Sequence, residues 1–488
     1  MLPKKFHIYS FPDFKKARVK PDTPFKREDY ISLNENYANL SSVLRGKKVY
    51  MRTYGCQANV RDEETMLGIL KTFGMKRTSN KEDADLVILN TCAVRENAEE
   101  KVYGEIGSFK SLKKNKPTMK IALCGCMCLE PPVVEKVVNT YPFIDFLFGT
   151  HDIARLPTFL HRAFVMGESF VDVISSSGEV VENLPSLRSE RFKAFVNIMY
   201  GCDKFCSYCI VPSTRGRERS RLLKDVVDEC KGLVKRGYIE ITLLGQNVNA
   251  YGKDLKDGTS FASLLEEVAK LGIKRLRFIT SHPFDFDDEL IDVIARYDNI
   301  MKYIHLPVQS GSTRILTLMN RRYDREGYLS LVNRIKAKIP NVALSSDIIV
   351  GFPSETEEDF LDTLSLVEEV QYSTLFTFIY SPRPFTPATI MKDRVDDKIK
   401  HERFIRLSKL SEKIIEKQAE KMVGKTYDVL IEEISKKDDS FVSGYTENYK
   451  LVHVKGDSSF IGKIIKVRIT SSHTYSLIGE IIDGQENN

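Results

Sequence analysis

Apolar and polar positions along the chain change period several times, and each change marks a new kind of element. From Lys48, KVYMRTYGC reads as a strand, DEETMLGILKTFGM as a helix and ADLVILNTC as a buried strand; a long helical stretch and the strand KIALCGC follow. Strands separated by helical segments pair in parallel through crossover helices, so residues 48–165 are expected to form a small α/β domain. From Phe192 the alternation restarts. AFVNIMYGC, IEITLLGQ, RLRFITS, YIHLPVQ, VALSSDIIVGF and LFTFIYS read as strands, with helical patterns such as LLKDVVDECKGLVKRG between them. Six β/α units are too few for an eight-unit TIM barrel of about 250 residues, so residues 188–420 predict an open, six-unit (β/α) partial TIM barrel. An amphipathic helix over His401–Gly424 is apolar at Phe404, Leu407, Leu410 and Ile414. Beyond it, in residues 424–488, five short strand-like segments fit a small antiparallel β-barrel of the OB type, and the overall class is α/β. Residues 1–47 are polar and weakly periodic, with Pro3, Pro12, Pro21 and Pro24 breaking any long element; they predict a flexible basic extension.

No apolar run reaches the roughly 18 residues that a bilayer crossing requires, and Met1–Phe14 lacks the apolar stretch and cleavage site of a secretory signal. A cytoplasmic protein without a membrane partner is therefore expected. Nine cysteines in 488 residues are too few for a disulfide scaffold and suit a reducing compartment. Net charge is +6, mild for the length, but Met1–Glu28 carries eight Lys or Arg against three acids and Arg188–Lys224 nine against three. Such runs form basic patches or simply solvated faces.

The thiols carry the chemistry. Cys202, Cys206 and Cys209 form a C-x3-C-x2-C run directly after a strand, short enough to curl around one corner of an iron-sulfur cubane. Three ligands leave one iron open to chelate a substrate's amino and carboxylate groups. A structural zinc loop or ordinary core thiols are the alternatives, although structural zinc takes four ligands and no fourth Cys or His stands nearby in sequence. Cys56, Cys92 and one cysteine of LCGCM each end a predicted strand, 36 and 34 residues apart if the third is Cys126, so three strands of one sheet present a thiol to a common point. Cys124 and Cys126 share a face by alternation, and spacing does not choose between them. The eight histidines form no metal-binding pair, and no phosphate-binding glycine loop follows a strand.

YGCDKFCSYCIVPSTRGRERSR resembles the radical S-adenosylmethionine (SAM) signature of methylthiotransferases, and LLGQNVNAYG, HLPVQSGS and DIIVGFPSETEEDF extend the resemblance over roughly residues 48–485. It implies an N-terminal methylthiotransferase domain, a radical SAM barrel and a C-terminal TRAM domain. By the same resemblance, Cys202, Cys206 and Cys209 hold the [4Fe-4S] cluster that cleaves SAM to a 5′-deoxyadenosyl radical. Cys56, Cys92 and Cys126 hold a second, auxiliary [4Fe-4S] cluster, with the GCM of Gly125–Met127 favouring Cys126 over Cys124. One SAM supplies a methyl group to sulfur at the auxiliary cluster, and a second yields the radical that activates carbon 2 of an adenine. GRERSR, GQNVNAYG and LPVQSGSTRILTLMNR point to isopentenyladenosine beside the anticodon of tRNA as substrate, with a flavodoxin or ferredoxin as electron donor.

Gln246, Ser281, Gln309 and Asp347 each close a predicted barrel strand and are candidates to bind SAM or the nucleoside; a strand cap is the bland reading. Arg215, Arg217, Arg219 and Arg221 follow the cysteine loop and are candidates for tRNA phosphates. Two features depart from the family. Phe385 stands in SPRPFTPA where a glycine is usual, and the terminal barrel from Thr426 has seven Lys or Arg against ten Asp or Glu, which gives no charge support for tRNA binding. Tyr445 and Tyr449 are stacking candidates there instead. Competing readings keep the chemistry but change the target, to threonylcarbamoyl-adenosine in tRNA or a ribosomal-protein aspartate, or discard catalysis for a metal-stabilised RNA-binding protein.

Overall fold

A computed structural model of the chain describes residues 6–19, 37, 39–94, 96–176, 178 and 180–482. The first unit is a seven-stranded, all-parallel sheet. Its strands are β1 (His7–Ser10), β2 (Lys48–Thr53), β3 (Lys76–Arg77), β4 (Leu86–Thr91), β5 (Lys120–Gly125), β6 (Phe146–Phe148) and β7 (Phe170–Asp172), in the order β1-β7-β6-β5-β4-β2-β3. Parallel strands buried on both faces need no polar alternation, and β4 is buried throughout. Val87 and Leu89 join Ile121 and Leu123 on one face, while Leu86 and Ile88 join Val49, Met51, Phe146 and Phe148 on the other. Helices Glu96–Asn115 and Pro131–Thr140 cover the first face, and Gln57–Thr72 and Leu156–Phe164 the second. The chain runs from β2 to the edge strand β3 and returns across β2 to β4, so the strand order reverses there and a crevice opens at the carboxyl ends of β2 and β4.

Two boundaries move. The sheet continues past residue 165 to β7, whose three residues are too short to register as a periodic segment. The flexible-extension expectation is corrected for its described part: β1 pairs in parallel with β7, Phe6, Phe14 and Ala17 are buried, and Leu40–Leu44 is a short helix on the same core. Edge pairing and a few apolar anchors suffice to order a polar segment, and neither leaves a period in the sequence. The remainder of 1–47, residues 1–5, 20–36 and 38, lies outside the described residues.

The second unit starts at β8 (Lys193–Asn197). A two-residue antiparallel pair, β9 (Met199–Tyr200) and β10 (Arg219–Ser220), brackets the cysteine loop. Then come β11 (Glu240–Leu244), β12 (Arg275–Phe278), β13 (Tyr303–His305), β14 (Ala343–Val350) and β15 (Thr374–Ile379). They pair in parallel in two groups, β12-β11-β8 and β13-β14-β15, joined by the Leu276–Ile300 bridge, which is the expected open six-strand barrel. Helices on its outside bury one continuous apolar core. Helix Asp397–Glu420 packs on β15 and leads into a closed five-strand barrel: β16 (Thr426–Ile434), β17 (Phe441–Thr446), β18 (Leu451–Lys455), β19 (Ile464–Ser472) and β20 (Ser476–Ile481). Four of its pairings are antiparallel, and closure comes from one parallel pair, β18 with β20.

Arginines from β12 fasten this last barrel onto the open one. Arg275 donates to the carbonyls of Tyr445 (2.9 Å) and Asp428 (2.5 Å). Arg277 donates to Thr446 O (2.9 Å) and Glu447 O (3.1 Å) and pairs with Glu240 (2.9 Å). No helix of the described residues is long and apolar enough to cross a membrane.

Candidate functional site

Two sets of cysteines face each other where the first sheet meets the open barrel. Cys56 follows β2 with an extended backbone and caps helix Gln57–Thr72 from its N-terminal side, where the helix dipole favours a thiolate. Cys92 follows β4, and its Sγ accepts from Val94 N–H (3.4 Å). Cys126 follows β5, on the 3-10 turn Cys126–Leu129. A side chain at Gly125 would stand 2.3 Å from Thr91 O, and its φ of +97° is open to glycine, so this residue lets the three strand ends converge. The Cys56 thiol, hydrogen-bonded by Cys92, is held down to about 5, while that same hydrogen bond and burial push Cys92 up and burial pushes Cys126 up, with Arg215 against Cys126 pulling back.

Spacing left Cys124 and Cys126 unresolved, and the tertiary structure separates them. Cys124 is buried within β5, its sulfur 3.9 Å from Met66 Sδ and from Asn90 Oδ1. Cys128 and Cys230 are core thiols as well.

Cys202, Cys206 and Cys209 lie on the loop between β9 and α-turn Val211–Thr214. Gly201 makes that loop possible, because at φ +71° any Cβ would meet Arg217 O at 2.1 Å. Phe205 also takes a left-handed φ of +50°, which curls the loop. The loop is gripped by the segment after helix Thr313–Leu318: Ser207 N–H donates to Met319 O (3.0 Å), Ser207 Oγ to Leu318 O (2.8 Å) and Asn320 Nδ2 to Phe205 O (3.0 Å).

A cavity of about 470 Å³ is lined by Cys56, Cys92, Cys202, Cys206 and Cys209, five of the six expected ligands, and Cys126 lies behind it beside Ala93 and Ile210. Gln246, Ser281, Gln309 and Asp347 all line the same cavity. Thr280 and Gln309 hold positive φ, +70° and +75°, the kind of strain that persists where surrounding structure imposes it. Ser281 Oγ, His282 Nε2 and Asn247 Oδ1 are buried without a hydrogen-bond partner and face this space. Orphaned polar atoms around a cavity mark a place built for a polar ligand. Burial beside Arg321 and Lys204 keeps His282 neutral. Among the described residues no three His, Cys, Asp or Glu side chains close on one point as a single ion requires. Thiols spread around an open cavity suit a larger inorganic group better than zinc.

The far wall is aromatic. Tyr303, Phe376, Phe378 and His305 line it from β13 and β15, and Tyr449 reaches in from the terminal barrel, its ring 5.1 Å from that of Tyr303 and 4.7 Å from Tyr445, with the Arg277 guanidinium 4.9 Å from it. Phe376 and Phe378 are 46% and 43% exposed, unusual for large apolar groups on a barrel strand. Their alternation in LFTFIY was the available signal; Tyr449's place was visible to sequence reasoning as an aromatic, not as part of this wall.

The arginines after the loop do not form a phosphate-binding row. Arg215 is buried and donates to Asp62 Oδ2 (2.8 Å), and Arg221 is buried between Glu182 and Glu229 (2.6 Å each). Arg217 is bidentate to Asp203 (2.6 and 2.8 Å), and Arg219 donates to Gly178 O (2.7 Å) with its guanidinium over Tyr200. Basic residues spaced by two alternate between neighbouring segments, and here Asp62 of the first unit, Glu182 of the linker, and Asp203 and Glu229 of the second unit take up three of the four. Phe385 has φ +62°, a backbone conformation that favours glycine; its ring rests 4.5 Å from Phe14, and its carbonyl accepts from Arg18 (3.3 Å).

Comparison with known proteins adds the following. Residues 48–149 match Uncharacterized protein family UPF0004, 196–367 the Radical SAM superfamily and 420–482 the TRAM domain. The chain is 50% identical over 477 residues to the tRNA-2-methylthio-N(6)-dimethylallyladenosine synthase of Geobacillus kaustophilus, covering 98% of this chain and 89% of that one. It is 49% identical to the synthase of the same name from Bacillus subtilis, covering 97% and 93%. Among solved structures, the radical S-adenosylmethionine methyltransferase TsrM of Kitasatospora setae, bound to tryptophan and a SAM analogue, superposes with a TM-score of 0.52 at 14% identity over 71% of this chain and 75% of that one, a likeness of fold.

Proposed function

The chain belongs to the tRNA-2-methylthio-N6-dimethylallyladenosine synthases of the radical SAM methylthiotransferase family, and from that membership we propose how its own residues divide the reaction. It is a radical SAM enzyme of tRNA modification that adds a methylthio group to carbon 2 of N6-isopentenyladenosine. Cys202, Cys206 and Cys209 hold the [4Fe-4S] cluster of the family, and Cys56, Cys92 and Cys126 hold a second one. With SAM bound, such a cluster would supply the single electron for reductive cleavage of SAM, the chemistry needed to activate an unreactive C–H bond.

The protein's part is placement and exclusion of water. Ser281, Gln246, Gln309 and Asp347 bind the polar groups of SAM and the nucleoside from the strand ends, and the unpaired Ser281 Oγ and Asn247 Oδ1 support that role. Neutral His282 adds no charge to repel the sulfonium of SAM. Tyr303, Phe376, Phe378 and Tyr449 offer a face for the purine and an apolar lining for the isopentenyl group, which would otherwise sit in water at about 25 cal/mol per Å². The adenosine beside the anticodon reaches this cavity by leaving the anticodon stack, since a ring inside a stack keeps its faces and edges from the cavity walls. A flavodoxin or ferredoxin delivers the electron, and the setting is cytoplasmic.

The observation that carries the reading is that five of the six cysteines and the four strand-end polar residues line one cavity with an aromatic wall. The test is mass spectrometry of tRNA nucleosides from cells lacking the protein, complemented with wild type or Cys206→Ala. Return of the methylthio group on isopentenyladenosine with wild type and not with the variant supports it; an unchanged isopentenyl nucleoside with loss of another methylthiolated target overturns the substrate.

A further inference from the structure

Arg321 is 4% exposed and carries a full positive charge into the wall of the cavity. Its Nε donates to Tyr323 Oη (2.9 Å), Nη2 to Pro307 O (2.8 Å), and Nη1 to Tyr208 Oη and Cys206 Sγ (3.3 Å each). No carboxylate is among these partners, unlike Arg215, which meets Asp62, or Arg403, which meets Glu355. A buried guanidinium without a counter-ion is costly, and among its partners the Cys206 sulfur is the one that ligation to a cluster would make an anion. The chain around it is forced: Asn320 and Arg322, on either side, take left-handed φ of +57° and +62°. That strain sits in the turn that grips the cysteine loop through Met319, Leu318 and Asn320.

We propose that Arg321 is the counter-charge and positioning residue of the radical cluster, raising its reduction potential through the Cys206 sulfur. The inference rests on Cys202, Cys206 and Cys209 being the ligands of that cluster. Three thiolates around a doubly positive [4Fe-4S] core leave one net negative charge, and one-electron reduction adds a second. A cation and a hydrogen bond at a ligand sulfur stabilise the more negative state more, so reduction becomes easier. Arg321 acts through Cys206, as a positioning residue.

The test is an anaerobic, EPR-monitored redox titration of the full-length chain carrying Cys56→Ala, Cys92→Ala and Cys126→Ala, so that a single cluster titrates, in the presence of Arg321, Arg321→Lys or Arg321→Gln. The expected result is a more negative midpoint potential in Arg321→Gln at unchanged iron and sulfide per chain, with a smaller shift in Arg321→Lys, which keeps the charge. If the Gln variant loses its iron, wild-type iron with a negative shift in the Lys variant supports the proposal. An unmoved potential in an iron-replete Arg321→Gln chain overturns it. Equal loss of iron from both variants overturns it too, because Arg321 would then be scaffold. A parent chain with Arg321 intact that binds no iron would instead refute the ligand assignment.

Discussion

Arg277 offers a measurable test of how the terminal barrel is held over the cavity. It is 5% exposed, pairs with Glu240, and supplies two donors to the backbone of the β17–β18 turn beneath Tyr449. Arg277→Met keeps much of the stem volume and removes the charge with all three hydrogen bonds. Breaking one side of a buried pair costs about 3–5 kcal/mol, and two carbonyls stripped of donors add about 1 kcal/mol each. Water entering the opened contact offsets part of this, which leaves about 3 kcal/mol. That loss falls on the contact between the two barrels, not on the core of either. Hydrogen exchange of the peptide spanning residues 443–452 should therefore accelerate by roughly a hundredfold, at about 1.4 kcal/mol per factor of ten, while β4 in the first sheet stays protected. Adding Glu240→Gln should restore part of the protection by removing the stranded carboxylate. Unchanged exchange over 443–452 in Arg277→Met would refute the claim that Arg277 fastens the barrel.

Three further outcomes are expected. Glu130 is buried with Oε1 unpaired, and burial together with Glu99 pushes it up to about 8. Its folded form binds the proton more tightly than the unfolded chain, so its contribution is complete below the ordinary glutamate range and lost as pH rises toward 8. Glu130→Gln should thus raise thermal stability at pH 8 and leave it nearly unchanged at pH 5, as read by melting temperature. Phe385→Gly relieves a left-handed backbone worth about 1 kcal/mol and gives up a ring contact of similar size with Phe14. The melting temperature should stay nearly constant while tryptic cleavage after Arg18 speeds up. Finally, Cys124→Ser should retain wild-type iron and sulfide per chain, and Cys126→Ser should lose about half; the reverse pattern would transfer the ligand role to Cys124.

Much of the architecture was legible in the chain. Strands such as ADLVILNTC and IEITLLGQ are apolar runs flanked by amphipathic helices, a pattern that admits few arrangements other than parallel sheets and a partial barrel. C-x3-C-x2-C is local, so its chemistry survives without any tertiary information. The short strands β1 and β7 escaped because three or four residues carry no period and are ordered by edge pairing alone.

What the sequence by itself determined was the chemistry and the order of the units: which residues can ligate, which segments alternate, and where the polar side chains fall at strand ends. Only the tertiary structure decided what those residues face. It buried Arg215 against Asp62, 153 residues away, and Arg221 against Glu182, 39 away, turned Cys124 into the core while Cys126 kept the strand end, and brought Tyr449 and Arg321 to one cavity. The physical reason is that charge compensation and burial depend on which distant segments pack together, whereas a period or a spacing reports only on neighbours along the chain.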